Sequence, residues 1–281
     1  MKLKILVLAY QVSPHRGSEY SVAWNFATNM NKVADLVVLY GASGLDMGDT
    51  EELEKYVSSF PVPGVRFIPV GPGILAKFLN SANKRGFLTY SFYFAYRFWH
   101  LQAYRTAKKL LAQESFDLVH YVGPIGYREP GFLWKLDLPY VWGPIGGAGN
   151  VPRQMLPALP VLNRAKLIFR ASINWLQLRT SRRVYSALAR ADMLLTATSR
   201  DQEIFKQVLG FDSIHMPENT VSGDIGLNSS KFESFDRIQI IWIGSVEPRK
   251  ALRLLVDALS ACAARNKFTV HVVGYVPLPY L

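Results

Sequence analysis

Short apolar runs alternate along this chain with longer helix-like stretches, and that alternation leaves few folds open. Leu3–Ala9, Leu36–Tyr40, Val65–Val70, Phe116–Tyr121, Tyr140–Trp142, Asp192–Ala197 and Ser213–Met216 read as strands. Between them Ser18–Met30, Thr50–Phe60, Gly86–Gln113, Tyr127–Leu136, Asn163–Ala189 and Ser199–Leu209 read as helices. Strand–helix alternation of this kind specifies an α/β fold with a doubly wound, mostly parallel sheet.

The 281 residues, 49% of them hydrophobic, suffice for one large core or two domains. The composition divides them. Residues 1–218 carry the alternating pattern of a complete Rossmann-like domain. Residues 219–235 are rich in Gly, Ser and Asn, lack periodicity and read as a linker. From Asp236 a new strand–helix–strand unit begins, and residues 236–281 form the start of a second domain. That stretch is too short to bury both faces of a sheet, so the chain reads as an incomplete version of a longer protein.

A single cysteine, Cys262, excludes an internal disulfide framework and any zinc site built on several thiolates. The apolar run Ile5–Ala9 lacks a cleavage pattern and reads as a first strand rather than a signal peptide. No window reaches the ~20 apolar residues of a membrane span. These features suit a cytoplasmic protein.

The net charge of +11 is concentrated. Lys55–Gln113 holds nine Lys/Arg and no acid, and Leu138–Ala191 holds eight and no acid. The rest of the chain has 15 basic against 21 acidic residues, a net of −6. Localised basicity points to a localised anionic partner. An anionic membrane surface fits, because Gly86–Tyr104 carries nine aromatic residues beside Lys84, Arg85 and Lys108. The competing reading of that stretch is a helix lining the core. The basic helix with Arg164, Lys166, Arg170, Arg179, Arg182, Arg183 and Arg190 spreads its cations over more than one face, so part of it must be solvated. Nucleic-acid modules leave no signature here.

Several segments carry candidate chemistry. Gln11–Glu19 joins the first strand to the first helix. Gly17 allows positive φ there, Ser18 or Glu19 can cap the helix, and His15 and Arg16 add donors. An ordinary capped loop explains the same residues. The loop is not GxGxxG and no acidic residue closes the second strand, so a dinucleotide oxidoreductase is disfavoured. His120 ends the strand Phe116–Tyr121, before Gly123-Pro124, which places an imidazole at the sheet's carboxyl edge; the competing reading is a strand-end histidine bonded to a backbone carbonyl. A second glycine-rich segment, Gly143-Pro144-Ile145-Gly146-Gly147, follows the next strand. Both GPIG segments permit close backbone approach, and both suit simple packing turns. Gly244-Ser-Val-Glu-Pro-Arg-Lys250 follows the strand-like Ile238–Ile243 and precedes a helix-like run. Arg249 and Lys250 oppose the dipole at that helix start unless an anion arrives, and together they suit a diphosphate.

The ordered set Pro14-His15-Arg16-Gly17-Ser18-Glu19, His120-x-x-Gly-Pro124, Arg128-Glu-Pro-Gly131, Trp142-Gly-Pro-Ile-Gly-Gly147 and Gly244-x-x-x-x-Arg-Lys250 resembles the GT-B-fold glycosyltransferases of family 4. The resemblance runs over nearly the whole chain. It implies two Rossmann-like domains, an acceptor-side one and one for a nucleotide-sugar donor. It also implies transfer of the sugar with retention to a glycan or lipid-linked acceptor, with no metal and no cofactor beyond the donor. By carry-over, His120 sits at the reacting sugar, and Gly17, Ser18, Gly244, Arg249 and Lys250 bind the donor. His15, Arg16, Gly146 and Gly147 line the cleft on the acceptor side. Peripheral attachment at the inner face of the membrane completes the expectation. The family's Glu-x7-Glu segment does not occur, and Ala251 stands where glycine is usual after the lysine.

Overall fold

The structure, a computed structural model, describes residues 2–85, 91–219, 226, 229–232, 237–244, 246 and 250–274. The chain divides into two units, Met1–Gly149 with Asn174–Thr220, and Asn150–Ile173 with Val221–Leu281.

The first unit is built on strands β1 (Leu3–Ala9), β2 (Ala34–Tyr40), β3 (Val65–Pro69), β4 (Leu118–Gly123), β5 (Tyr140–Ile145), β6 (Met193–Thr196) and β7 (Ile214–His215). They form one sheet in the order β3-β2-β1-β4-β5-β6-β7, every pair parallel. The chain moves outward from β1 in one direction and then returns to the other side of β1 at β4. That reversal is the topological switch point, where open α/β sheets leave a crevice at their carboxyl edge.

Alternate residues of each strand feed two cores. Ile5, Val7 and Ala9 join Leu36, Val38 and Tyr40 under helices α1 (Glu19–Met30) and α2 (Glu51–Ser59). Leu6, Leu8, Val37, Leu39, Val119, Tyr121, Tyr140 and Trp142 face the other way. There they meet α4 (Ser91–Leu111), through Ala95, Tyr96, Trp99, Ala103 and Ala107. Burial on both faces is why these strands read as continuous apolar runs. Helix α3 (Gly73–Lys84), which has no counterpart among the helices read from the sequence, pairs with α4. The aromatic-rich stretch is therefore a core helix. Trp99 is fully buried, and its indole Nε1 donates to the Val70 carbonyl at 2.8 Å. Gly86 to Tyr90 lie outside the described residues.

The long basic helix is broken. Helix α5 (Val161–Thr180) ends before Ser181, whose hydroxyl accepts from Val184 N at 3.5 Å and starts α6 (Arg182–Arg190). Tyr127–Leu136 contains only a single 3₁₀ turn, Leu133–Lys135, because Pro130 and the left-handed Gly131 stop a helix from running through. Helix α7 (Ser199–Ile204) follows β6.

In the second unit, β8 (Ile238–Ile243) and β9 (Phe268–Val273) pair in parallel around α8 (Leu252–Ala261). None of these three elements contains a buried residue, and Ile243 is 75% exposed. Most of the linker and the whole Tyr275–Leu281 tail lie outside the described residues. Among the described residues no helix is long and apolar enough to cross a membrane.

Candidate functional site

At the switch point the loops leaving β1 and β4 come together, and one side chain ties them. Glu19, in the first turn of α1, accepts from Ile125 N at 3.1 Å. Tyr10 N donates to the Gly123 carbonyl at 3.1 Å, which ties the two strand ends together just past a register shift between Leu8 and Ala9. Partial burial, and the carboxylate of Glu218 nearby, raise the pKa of Glu19 above the usual range.

In this first loop positive φ falls on Ser18, at 59°, and not on Gly17. Ser18 is exposed and makes no side-chain cap to α1, so the expected capping role is not taken up. A non-glycine residue in that region is strained, by about 1–3 kcal/mol, and such residues gather at functional sites. A Cβ on Gly17 would meet nothing within 4 Å. His15 and Arg16 turn away toward α2. Arg16 pairs with Glu52 at 2.9 Å, and Ser13 donates to the same carboxylate at 2.7 Å. The His15 ring packs edge-on against Tyr56.

Strand β4 runs two residues past its expected end. His120 is consequently mid-strand, paired in register with Val7 and Val141 and about 10 Å short of the strand's carboxyl end. Its imidazole is buried against Phe26 of α1, and its Nε2 lies 2.8 Å from the Gly143 carbonyl. Loss of hydration drives its pKa down to about 4, so the ring is neutral near pH 7 and donates that hydrogen bond. His120 thus fixes the irregular turn within β5 at Gly143, where the register with β6 shifts between Trp142 and Ile145.

That turn needs glycine. Gly143 sits at φ 132°, and a Cβ there would come within 2.2 Å of the Leu195 carbonyl oxygen. The two GPIG segments then run side by side, with Gly146 N donating to Ile125 O at 2.7 Å and Tyr127 N to Gly146 O at 3.2 Å. Each contains a cis Gly–Pro bond. Gly147, at φ 81°, faces open space.

Sequence reasoning missed the residue that holds this loop. Asp201 of α7 is buried, and its carboxylate accepts from Ala148 N at 2.9 Å, Gly149 N at 3.3 Å and the Thr198 hydroxyl at 2.6 Å. The only local signal was Thr198 three residues before an acid, a helix-start pattern that says nothing of a partner 53 residues away. The Arg128-Glu-Pro-Gly motif proves to be a second clamp. Arg128 donates to Asn174 and Gln177 of α5 at 2.6 and 2.9 Å, and Glu129 forms a two-point ion pair with Arg183 of α6. Asn174, fully buried, passes the connection on to the Ala148 carbonyl at 2.6 Å.

In the second unit Gly244 closes β8 at φ 155°, with its N–H on Val273 O at 3.0 Å. Lys250 is exposed, and its carbonyl accepts from the Trp242 indole at 3.2 Å. Arg249 lies outside the described residues. Ala251 takes the left-handed conformation at the start of α8, φ 56° and ψ 28°, where glycine would be unstrained. Among the described residues no group of three or more His, Cys, Asp or Glu side chains is placed to hold a metal.

A parallel sheet in this order, with glycine turns gathered at its carboxyl edge, defines a Rossmann-like α/β protein. Sucrose-phosphate synthase from Thermosynechococcus elongatus shares the fold, with TM-score 0.54 and 11% identity over 99% of this chain. The chain spans 64% of that enzyme's length. Its fold is thus of the GT-B glycosyltransferase type. More distant likenesses include LpCGTa in complex with UDP (TM-score 0.47, 13% identity, 99% of this chain and 71% of that one). A glycosyltransferase from Rickettsia africae follows (TM-score 0.44, 10% identity, 97% and 69%). No protein-family profile and no curated protein sequence matches the chain.

Proposed function

We propose that this chain is a glycosyltransferase that moves a sugar from a nucleotide-sugar to a polysaccharide or lipid-linked acceptor at a membrane surface. Retention of configuration, independence of metal and a place at the cytoplasmic face belong to the same reading. The observation that carries it is the Glu19–Ile125 tie between the loops leaving β1 and β4 at the switch point, in a fold shared with a sucrose-phosphate synthase. There a strained, exposed Ser18, the Glu19 carboxylate and two paired glycine turns present polar groups at the carboxyl edge of the sheet.

The charges suggest which ligand goes where. Glu19 and Glu218 make the first loop unsuitable for a phosphate, since like charges repel. Carboxylates and exposed backbone suit sugar hydroxyls, which both donate and accept. Gly17, Ser18, Gly146 and Gly147 therefore fit the acceptor or the transferred sugar. The donor diphosphate is left to Gly244, Arg249 and Lys250, where cations would stabilise the charge that develops on the leaving group. His120 supports the reaction by holding Gly143 in place, because its ring is buried and bonded to the Gly143 carbonyl.

Calorimetric titration with UDP, GDP and ADP, followed by a donor-hydrolysis assay, tests this. Binding of one nucleotide, weakened in Lys250→Ala, supports the reading; absence of binding to all three contradicts it.

A second reading is an acceptor- or membrane-binding remnant without catalysis. One fact favours it: β8, β9 and α8 contain no buried residue. Retention on oligosaccharide resins without any nucleotide binding would select it.

A further inference from the structure

Helix α5 presents its apolar side to solvent. At about 100° per residue, Val161, Leu162, Ala165, Ile168, Phe169 and Ile173 fall within one arc of about 140°. Leu162, Phe169 and Val161 are 67%, 66% and 77% exposed. Leu167 and Ala171, which project from the opposite side, are half-buried. An ordinary surface helix has the reverse arrangement, with its apolar stripe turned inward.

The cations are placed with equal regularity. Arg164 and Lys166 fall just outside the two edges of the apolar arc, and Arg170 lies one step further round. Lys166 and Arg170 are exposed and have no acidic partner among the described residues, and the helix itself contains no Asp or Glu. Further along the same helix Trp175 and Leu176 are exposed, and Arg179 lies over the Trp175 ring at 4.4 Å. Over residues 161–173 the face is apolar but for Ser172 and is bounded by cations. Arg179, which falls in the same arc, follows with Trp175 toward the end of the helix. This face matches a layer that is apolar inside and anionic at its surface. A protein partner would have to supply both a greasy groove and acids on its two rims.

We infer that α5 docks the chain onto an anionic lipid surface by laying its outward apolar face into the headgroup region. The inference rests on the membrane-surface part of the proposed function and names the element responsible. Arg164, whose Nη2 donates to the Pro157 and Leu159 carbonyls at 3.2 and 3.3 Å, holds the preceding segment back against the helix start.

The test is co-sedimentation of the full chain with vesicles of phosphatidylglycerol and phosphatidylcholine in equal parts, and of phosphatidylcholine alone. Sedimentation is expected with the anionic vesicles and should weaken with added salt. K166E/R170E should lower the partition coefficient at least roughly tenfold, since each cation near an anionic surface contributes about a factor of five. I168E/F169E should abolish it, and both variants should keep the parent's circular dichroism because the sites are exposed. Failure of the parent to sediment, or equal sedimentation of the variants, overturns the inference. So does self-association that I168E/F169E removes in a chain that ignores lipid, because the face would then be a protein interface. Nucleotide titration of the same samples separates the two claims: a chain that binds vesicles and no nucleotide retains the docking helix and loses the transferase reading.

Discussion

Removing the Asp201 carboxylate should loosen the glycine loop after β5 and destabilise the first unit by about 3 kcal/mol. Its three acceptor bonds are not equivalent. Gly149 and Thr198 are exposed, so water replaces the carboxylate at both with little loss. Ala148 is 1% exposed, and its N–H would be left without a partner, which costs about 1–3 kcal/mol. Loss of the acid from the first turn of α7 adds about 0.3–1 kcal/mol. Asp201→Asn keeps one oxygen for both backbone donors and alters only the Thr198 contact, so its cost should be about 1 kcal/mol. Asp212→Asn, which breaks an exposed pair with Lys206, serves as the control at about 0.5 kcal/mol or less. Urea denaturation followed by circular dichroism gives the three values. The order Ala, Asn, control is the content of the prediction. If Asp201→Ala fell within about 1 kcal/mol of the parent, the loop would not depend on this carboxylate and the reasoning would fail.

Acid should destabilise the first unit through its two buried histidines. Burial lowers His120 to about 4 and His100 to about 3, with Arg183 adding to the effect at His100. The unfolded chain therefore takes up these protons first, so the contribution is complete above about pH 6.5 and is lost as pH falls toward the folded values. Each ring contributes a slope of about 1.4 kcal/mol per pH unit, and denaturation at pH 7, 6 and 5 should show His120→Gln losing one ring's worth. Ala251→Gly should stabilise the β8–α8 unit by about 0.5–1 kcal/mol by relieving the left-handed alanine. Trp242 fluorescence reports the change, and an unchanged or lower midpoint contradicts it. Gly143→Ala should cost more than about 3 kcal/mol or prevent folding, because its Cβ meets the Leu195 carbonyl; a parent-like thermal midpoint would contradict the geometry.

Most of the sheet was legible because its information is local. A strand buried on both faces shows a continuous apolar run, and Leu3–Ala9 matches the observed β1 residue for residue. Glycine turns are likewise marked in the sequence by their own composition. What stayed hidden depends on partners far along the chain. Nothing near His120 says whether its ring reaches a crevice or the Gly143 carbonyl 23 residues on. Arg16 looked like a free donor because Glu52, 36 residues away, was not in view. Ser18 and Gly17 illustrate a different limit: glycine permits positive φ, but the path of the chain decides which residue takes it.

The exchange of roles between α4 and α5 follows from arcs rather than composition. Helix α4 has more aromatic residues, but Tyr96, Trp99, Ala103 and Ala107 recur three or four apart and close a stripe onto the sheet. Small residues in that stripe let the helix approach, and the indole N–H finds the Val70 carbonyl, so burial leaves that donor paired. Trp99→Ala should therefore cost about 3–5 kcal/mol, while Phe94→Ala, at an exposed position of the same helix, should cost about 0.5 kcal/mol or less. In α5 the buried residues are Asn174 and Leu178, and the Asn174 amide is already committed to Tyr127 and Ala148. The wider apolar arc over residues 161–173 is exposed. The cations at its edges keep such a face soluble, and they also select an anionic layer as its counterpart.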